Sequence, residues 1–393
     1  MTLELQHAMK AQPTPDEAAR GRFVSGIRSF ILNDLAADLN SAYHSRAAPR
    51  FRAANGHDPK TSGEAHKALR GDPAFNIYSS MRVQAQKMVW ASVADGVGRD
   101  AERLEALAAE SGADGAVTLK PGFVPPRNAS AIDVHLMPGS YTGGEGMAAG
   151  ATYDRGLAVF SMGLMGANLD DIGLSMAAYV KRRYPDFAPK AILDLGCTIG
   201  HNSLPWKQAY PEAELVGIDV AAPGLRYAAT RAKLQGVEAH FAQMASDSLE
   251  YPDASFDVVF SSMFLHELPK KVRAKSISEA YRVLRPGGLM LHMELPPNGQ
   301  MAPFEAFYLD WDSYYNNEPY YKGYRDEDPK ALCESGGFAA SDYFQFVVPS
   351  IGIYGDQAVT DAATSDAAHT VGAETTGRLA DGVMWFGYGA WKR

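Results

Sequence analysis

The stretch Ala191-Ile192-Leu193-Asp194-Leu195-Gly196-Cys197-Thr198-Ile199-Gly200-His201-Asn202 decides the fold. A short apolar run carrying one acid breaks into a turn with two glycines. A helical segment follows, and a second apolar run, Glu214-Leu215-Val216-Gly217-Ile218-Asp219-Val220, brings a second acid. Glycine lets the backbone turn sharply and come close to a ligand. Asp219 lies about 20 residues past the first turn glycine, where a βαβ unit carries a carboxylate to ribose hydroxyls. The pattern predicts a nucleoside-cofactor pocket.

The identity of the nucleoside depends on the turn. A dinucleotide site needs G-x-G-x-x-G, with a pyrophosphate held on the helix N-terminus. Here Gly196, Thr198 and Gly200 alternate, and Thr198 stands where a pyrophosphate loop needs glycine. Asp194, just before the turn, suits a ligand with a positive end, and S-adenosylmethionine has an ammonium and a sulfonium. Two other readings compete. One is an NAD(P)-dependent oxidoreductase; the other is a noncatalytic cofactor-binding protein that kept the fold.

Further along, Gly217-Ile218-Asp219-Val220, Ser255-Phe256-Asp257-Val258-Val259-Phe260-Ser261-Ser262 and Arg282-Val283-Leu284-Arg285-Pro286-Gly287-Gly288-Leu289 follow in order. From about Ala191 to Arg393 the chain resembles the class I S-adenosylmethionine-dependent methyltransferases, in particular their small-molecule, ubiquinone-biosynthesis-like branch. The resemblance implies an α/β, Rossmann-like class I methyltransferase sheet, parallel with an antiparallel last strand, preceded by an N-terminal, mainly helical region. It implies S-adenosyl-L-methionine as cofactor, held by Asp194, Gly196, Cys197, Thr198, Gly200, Asp219, Val220, Met244, Ala245, Ser246 and Ser261. Two positions depart from the family pattern. Thr198 replaces a common glycine, and Ala245 stands where an acid commonly meets the adenine amino group.

Composition limits the partners. The chain has 393 residues, 46% of them hydrophobic, and a formal net charge of −9, so it lacks the basic footprint of a nucleic-acid binder. Cys197 and Cys333 have no metal-ligand spacing, and no metal is expected. Leu157 to Val180 is interrupted by Asp170 and Asp171, which argues against a membrane span. Met1 to Lys10 lacks the pattern of a signal peptide, and a cytoplasmic location is the default expectation.

Residues 1–112 read as helices divided by breakers at Pro13, Pro15, Gly56, Pro59, Gly71 and Pro73, with periodic segments at Met81–Ala94 and Ala101–Glu110. They are a candidate cap or homodimer surface. Residues 113–185 hold a Gly/Pro-rich loop, including Val134 to Gly146, and connecting helices. Residues 186–393 form the cofactor-binding unit, with strands expected near 191–195, 214–219, 238–242, 256–260 and 288–293 and two late ones at Tyr343–Val348 and Val383–Trp391. Ala358–Gly377 reads as a surface excursion.

Methyl transfer from a sulfonium is an in-line displacement that requires alignment, exclusion of water and, for some acceptors, a base. Ligands sit outside the carboxyl ends of the strands. His266, after strand four, is the candidate base, and Glu294, at the end of strand five, is its companion. An aromatic insertion at 296–326 suits a flat or cationic small-molecule acceptor. Tyr141, Trp311, Tyr314, Tyr315, Tyr320, Tyr321 and His266 are its candidate contacts. The alternative is that these rings pack the insertion onto the N-terminal helices.

Overall fold

The computed structural model describes residues 7–144, 146–365 and 383–393. Strands β1 (Val117–Thr118), β2 (Ala191–Leu195), β3 (Glu214–Asp219), β4 (His240–Gln243), β5 (Phe256–Ser262), β6 (Leu284–Glu294), β7 (Tyr343–Pro349) and β8 (Met384–Trp391) form one sheet. Their order is β1-β4-β3-β2-β5-β6-β8-β7, parallel up to β6, with β8 antiparallel to both β6 and β7. The mostly parallel α/β sheet follows the sequence expectation. β1, drawn from the Gly/Pro-rich region, is an unexpected edge strand.

β2 is buried along its whole length, as a central parallel strand covered on both faces must be. Its alternate side chains feed two cores. Ile192 packs with Val258 and Phe260 under the helix Asp171–Arg183, through Met176, Tyr179 and Val180. Leu193 and Leu195 pack with Val259 and Met290 under the helix Lys270–Val283, through Ile277, Ala280 and Val283. This period of two sets which residues of each strand reach the carboxyl-end crevice.

The N-terminal region is helical, with α1 (Pro15–Phe30), α2 (Ala36–Ala42), α3 (Ala48–Asn55), α4 (Ser62–Leu69) and α5 (Pro73–Ser111), and π-helical turns join α1, α2 and α3. The expected breakers at Pro15, Gly56 and Pro73 fall at helix ends. α5 corrects the expectation of two separate segments, because it runs unbroken through Gly96 and Gly98. Packing against α1 overrides the two glycines: Arg99 on α5 is held by Glu17 on α1, with Nη2 to Oε2 at 2.7 Å, and Val97 is buried. A second correction lies near the C-terminus. Ile351–Thr364 forms a helix whose Val359 and Ala363 enter the core, capped by Ser350, where a surface excursion from Ala358 was expected. The rest of that excursion, 366–377, lies outside the described residues.

Most of the insertion's rings go to the N-terminal helices. On α6 (Pro303–Tyr315), Phe304, Phe307, Tyr308 and Trp311 join Leu32, Leu39, Tyr43, Leu69, Phe75 and Tyr78 in one core. Beneath them a buried ion pair joins Arg325 to Asp310, whose other oxygen accepts from Ser62 of α4 at 2.5 Å and from Asn298 at 2.8 Å.

Candidate active site

At the carboxyl ends of β2 and β5 the chain leaves the sheet in opposite directions, and a cavity of about 460 Å³ opens there. Its inner end is the turn after β2. Gly196 takes φ +74°, and a Cβ there would meet the Phe264 ring at 2.2 Å, so glycine is required. Thr198 also adopts a left-handed φ, +50°, and its N–H donates to Asp219 Oδ2 at 3.0 Å. The other oxygen of Asp219 accepts from Ala221 N at 2.9 Å. The β3 acid therefore braces the strained turn while its carboxylate lines the cavity.

Asp194 is buried at the base of this turn and accepts from Ser203 Oγ at 2.5 Å. Burial pushes its carboxyl up to about 8, partly offset by the Ser203 hydrogen bond. Burial also pushes the Cys197 thiol well up, which makes it a space-filler rather than a nucleophile. Ser262 lines the cavity with a buried hydroxyl that has no hydrogen-bond partner. Two acids and an orphaned hydroxyl fit a ligand carrying an ammonium group and ribose hydroxyls.

Glu294 lies beyond this end, at the tip of β6. Its Oε1 accepts from Phe264 N at 2.9 Å and Leu265 N at 2.5 Å, and its Oε2 meets His266 Nδ1 at 2.6 Å. Three contacts fix the loop after β5 and occupy His266 Nδ1, while Nε2 stands 3.9 Å from Glu267 Oε1. Burial pulls the His266 imidazole down, but Glu294 overrides it and holds it at about 9. As it stands His266 is an imidazolium near neutral pH, not the neutral base expected from sequence. A cationic ligand beside it would repel the proton and lower that value.

The remaining wall combines apolar and polar surface. Leu157, Phe160, Met165, Ile172, Met263 and Leu309 provide an apolar face. Next to Phe160, ring centroids 6.1 Å apart, stands His135, grouped with Glu267 and Glu318, and Tyr141 OH donates to Glu267 Oε1 at 3.0 Å. Burial pulls His135 down, while Glu318 and Glu267 hold it well above the usual histidine range.

Of the residues expected at the cofactor, Asp194, Gly196, Cys197, Thr198, Asp219, Val220, Met244, Ala245 and Ser246 line the cavity. Gly200 lies behind the wall, closing the turn through its N–H to Cys197 O at 2.8 Å. Ser261 needs correction. The pleat of β5 turns it away to His292, whose Nδ1 is 2.8 Å from Ser261 Oγ, and presents Ser262 instead. Of the candidate acceptor contacts, His266, Tyr141 and Tyr321 line the cavity. Trp311, Tyr314, Tyr315 and Tyr320 do not. Trp311 donates to Ser79 Oγ at 2.9 Å, Tyr315 OH meets His66 Nε2 at 2.9 Å, and Tyr314 packs on the His66 ring at 4.1 Å. Helical spacing sends their side chains toward α4 and α5. His135 and Glu318 fall in the Gly/Pro-rich loop and the aromatic insertion and Glu267 adjoins His266, but no motif links the three in sequence.

Residues 192–288 match the family model described as a methyltransferase domain. They span β2 to β6, the strands that carry Asp194, Asp219 and His266 to the cavity. This segment carries the pattern of a methyltransferase domain. The chain is 37% identical over 128 residues to the demethylmenaquinone methyltransferase of Thermus thermophilus, covering 33% of this chain and 56% of that one. It is 28% identical over 125 residues to the fatty-acid O-methyltransferase of Mycolicibacterium smegmatis, covering 32% of this chain and 44% of that one. The chain thus spans about half the length of these curated relatives. Among solved structures, a Haemonchus contortus phosphoethanolamine N-methyltransferase 2 bound to phosphomonomethylethanolamine and S-adenosylhomocysteine aligns at TM-score 0.41 and 18% identity, over 61% of this chain and 58% of that one. Among the described residues, no helix is long and apolar enough to cross a membrane.

Proposed function

We propose that this protein transfers a methyl group from S-adenosylmethionine to a small organic acceptor with a substantial apolar part. The observation that carries the reading is the continuity of one cavity from Thr198 and Asp219, past His266, to the apolar face formed with the N-terminal helices. When bound, S-adenosylmethionine supplies the methyl group as a sulfonium. Asp219 holds the ribose, Asp194 and the turn hold the amino-acid end, and His266, once the positive charge of the bound ligand has driven its own proton to solvent, accepts the acceptor's proton at Nε2. Glu294 is a positioning residue that keeps the His266 ring turned and its Nδ1 occupied. The apolar wall excludes water and orients the acceptor.

An acceptor that is not a nucleic acid belongs to this reading and rests on the net charge of −9; a cytoplasmic location is proposed with it. A homodimer through the N-terminal helices is supported by exposed Phe23 and Phe30 on α1 and exposed Ile77 on α5. Relatives named for demethylmenaquinone and for fatty acids make those two compounds the first acceptors to assay.

Isothermal titration tests the cofactor reading. S-adenosylhomocysteine should bind and NAD should not, and Asp219→Ala should weaken the former by about 1.5–3 kcal/mol, the range for hydrogen bonds to a charged group. NAD binding without S-adenosylhomocysteine binding would sink the proposal in favour of an oxidoreductase.

A further inference from the structure

We infer that His135, Glu267 and Glu318 form a binding site for a first-row divalent cation in the cavity wall beside His266. Three chain segments converge on it: the loop before the helix Ala148–Phe160, the loop after β5, and the insertion after β6. One imidazole nitrogen and two carboxylate oxygens lie within 4.8 Å of one another, and all three residues line the cavity. His135 Nδ1 is 2.9 Å from Glu318 Oε1, and Nε2 is 3.4 Å from Glu267 Oε1. The two carboxylates meet opposite nitrogens of the ring, so gathering one nitrogen and both carboxylates about 2.1 Å from a shared ion requires the side chains to rotate.

The second observation is Glu318 itself. Its side chain is 3% exposed, and its Oε2 is buried with no hydrogen-bond partner. Of the neighbouring cations, Arg82 Nη2 pairs with Asp312 at 2.8 Å, and His266 pairs with Glu294 while its Nε2 stands 3.9 Å from Glu267 Oε1. Two carboxylates therefore share His135, Glu318 Oε2 is left unmet, and a dication on a neutral imidazole would balance both carboxylates. Mixed imidazole and carboxylate donors suit Mn²⁺ or Zn²⁺ better than calcium, which prefers all-oxygen cages.

The outer contacts are those of a ligand set held in place. Tyr141 OH donates to Glu267, and Asn316 Nδ2 donates to Glu318 Oε1 at 2.8 Å. The backbone oxygen of His135 accepts from Gln86 Nε2 at 2.9 Å and Trp90 Nε1 at 2.8 Å, both on α5. The N-terminal helices thereby position a ligand of the active-site cavity. An ion held by these three residues would keep positions for further ligands, and an oxygen of the acceptor would take one; that last step rests on the proposed methyl transfer, while the ion site does not.

Chelator-treated full-length protein is titrated with Mn²⁺, followed by the loss of free-ion paramagnetic resonance signal, and with Zn²⁺ by calorimetry. About one ion per chain is expected for at least one of the two metals. His135→Ala and the near-isosteric Glu318→Gln should each weaken its binding at least tenfold, with S-adenosylhomocysteine titration showing that each variant is folded. Failure of wild-type protein to take up either metal, or a Glu318→Gln affinity equal to wild type, overturns the site. Metal uptake without S-adenosylhomocysteine binding would instead remove the methyltransferase proposal and leave the ion site standing.

Discussion

Asp194 shows how one residue can be read from sequence and still behave unexpectedly. Its place before the turn marked it as a partner for a positive ligand group, but its protonation follows from burial beneath the turn. With its carboxyl pushed up to about 8, it is mostly neutral at pH 7. An ammonium-bearing ligand favours the ionised form, so S-adenosylhomocysteine affinity should rise as pH increases from 6.5 towards 8.5. The limit is about tenfold per pH unit below that value, and the rise should level off above it. The sign for folding is opposite: the folded protein holds this proton more tightly than the unfolded chain does, so this group's contribution to stability falls as pH rises from about 4 to 8. Calorimetric titration across this range checks the binding slope, and Asp194→Asn should flatten it. Burial was not legible beforehand, because it depends on Ser203 and on the packed helices around the turn. The same holds for His135 and Glu318, which are far apart in sequence and carry no shared motif.

The strands were the most legible elements. β2 and β3 occupy the spans expected from their apolar runs, and β6 begins before its expected start because Leu284 pairs with Phe256, ahead of a bulge that contains Gly287 and Gly288. The aromatic insertion was legible as a segment but not as a surface. α6 presents its larger rings to α4 and α5, and only Tyr308, Leu309, Asp312 and neighbouring Glu318 and Tyr321 reach the cavity. The Arg325–Asp310 pair has no exposed atoms on either side chain. Asp310→Ala should therefore strand a buried guanidinium and cost about 3–5 kcal/mol of stability. Denaturant unfolding measures it. A loss below about 1 kcal/mol would mean that the insertion is held by its aromatic contacts alone.

At the scale of the molecule, the N-terminal helices share cores with the insertion after β6 and with the region before β2. Leu32, Phe75 and Tyr78 pack with Phe304, Phe307 and Trp311, while Val89, Trp90 and Val93 pack with Met137 and Val159. Removing the first 112 residues would expose these rings and the backbone contacts of His135. A chain beginning at residue 113 should fail to fold as a soluble monomer, and the full chain should unfold in one calorimetric transition. Two well-separated transitions would show that the helical region is an independent unit.

Local chemistry was sufficient for the sheet and the cofactor turn. Apolar runs at period two, glycines where backbone must turn, and an acid about 20 residues on are constraints within one βαβ unit. Sequence therefore determined the fold class, the cofactor and most of the turn's residues. The acceptor side was decided only in three dimensions. Its wall draws on α1, α5, the Gly/Pro-rich loop, the loop after β5 and the insertion, and neither periodicity nor spacing links segments so distant in the chain. Burial and charge pairing among them, not residue type alone, made His266 an imidazolium, sent Trp311 to the core and gathered His135, Glu267 and Glu318 at one point.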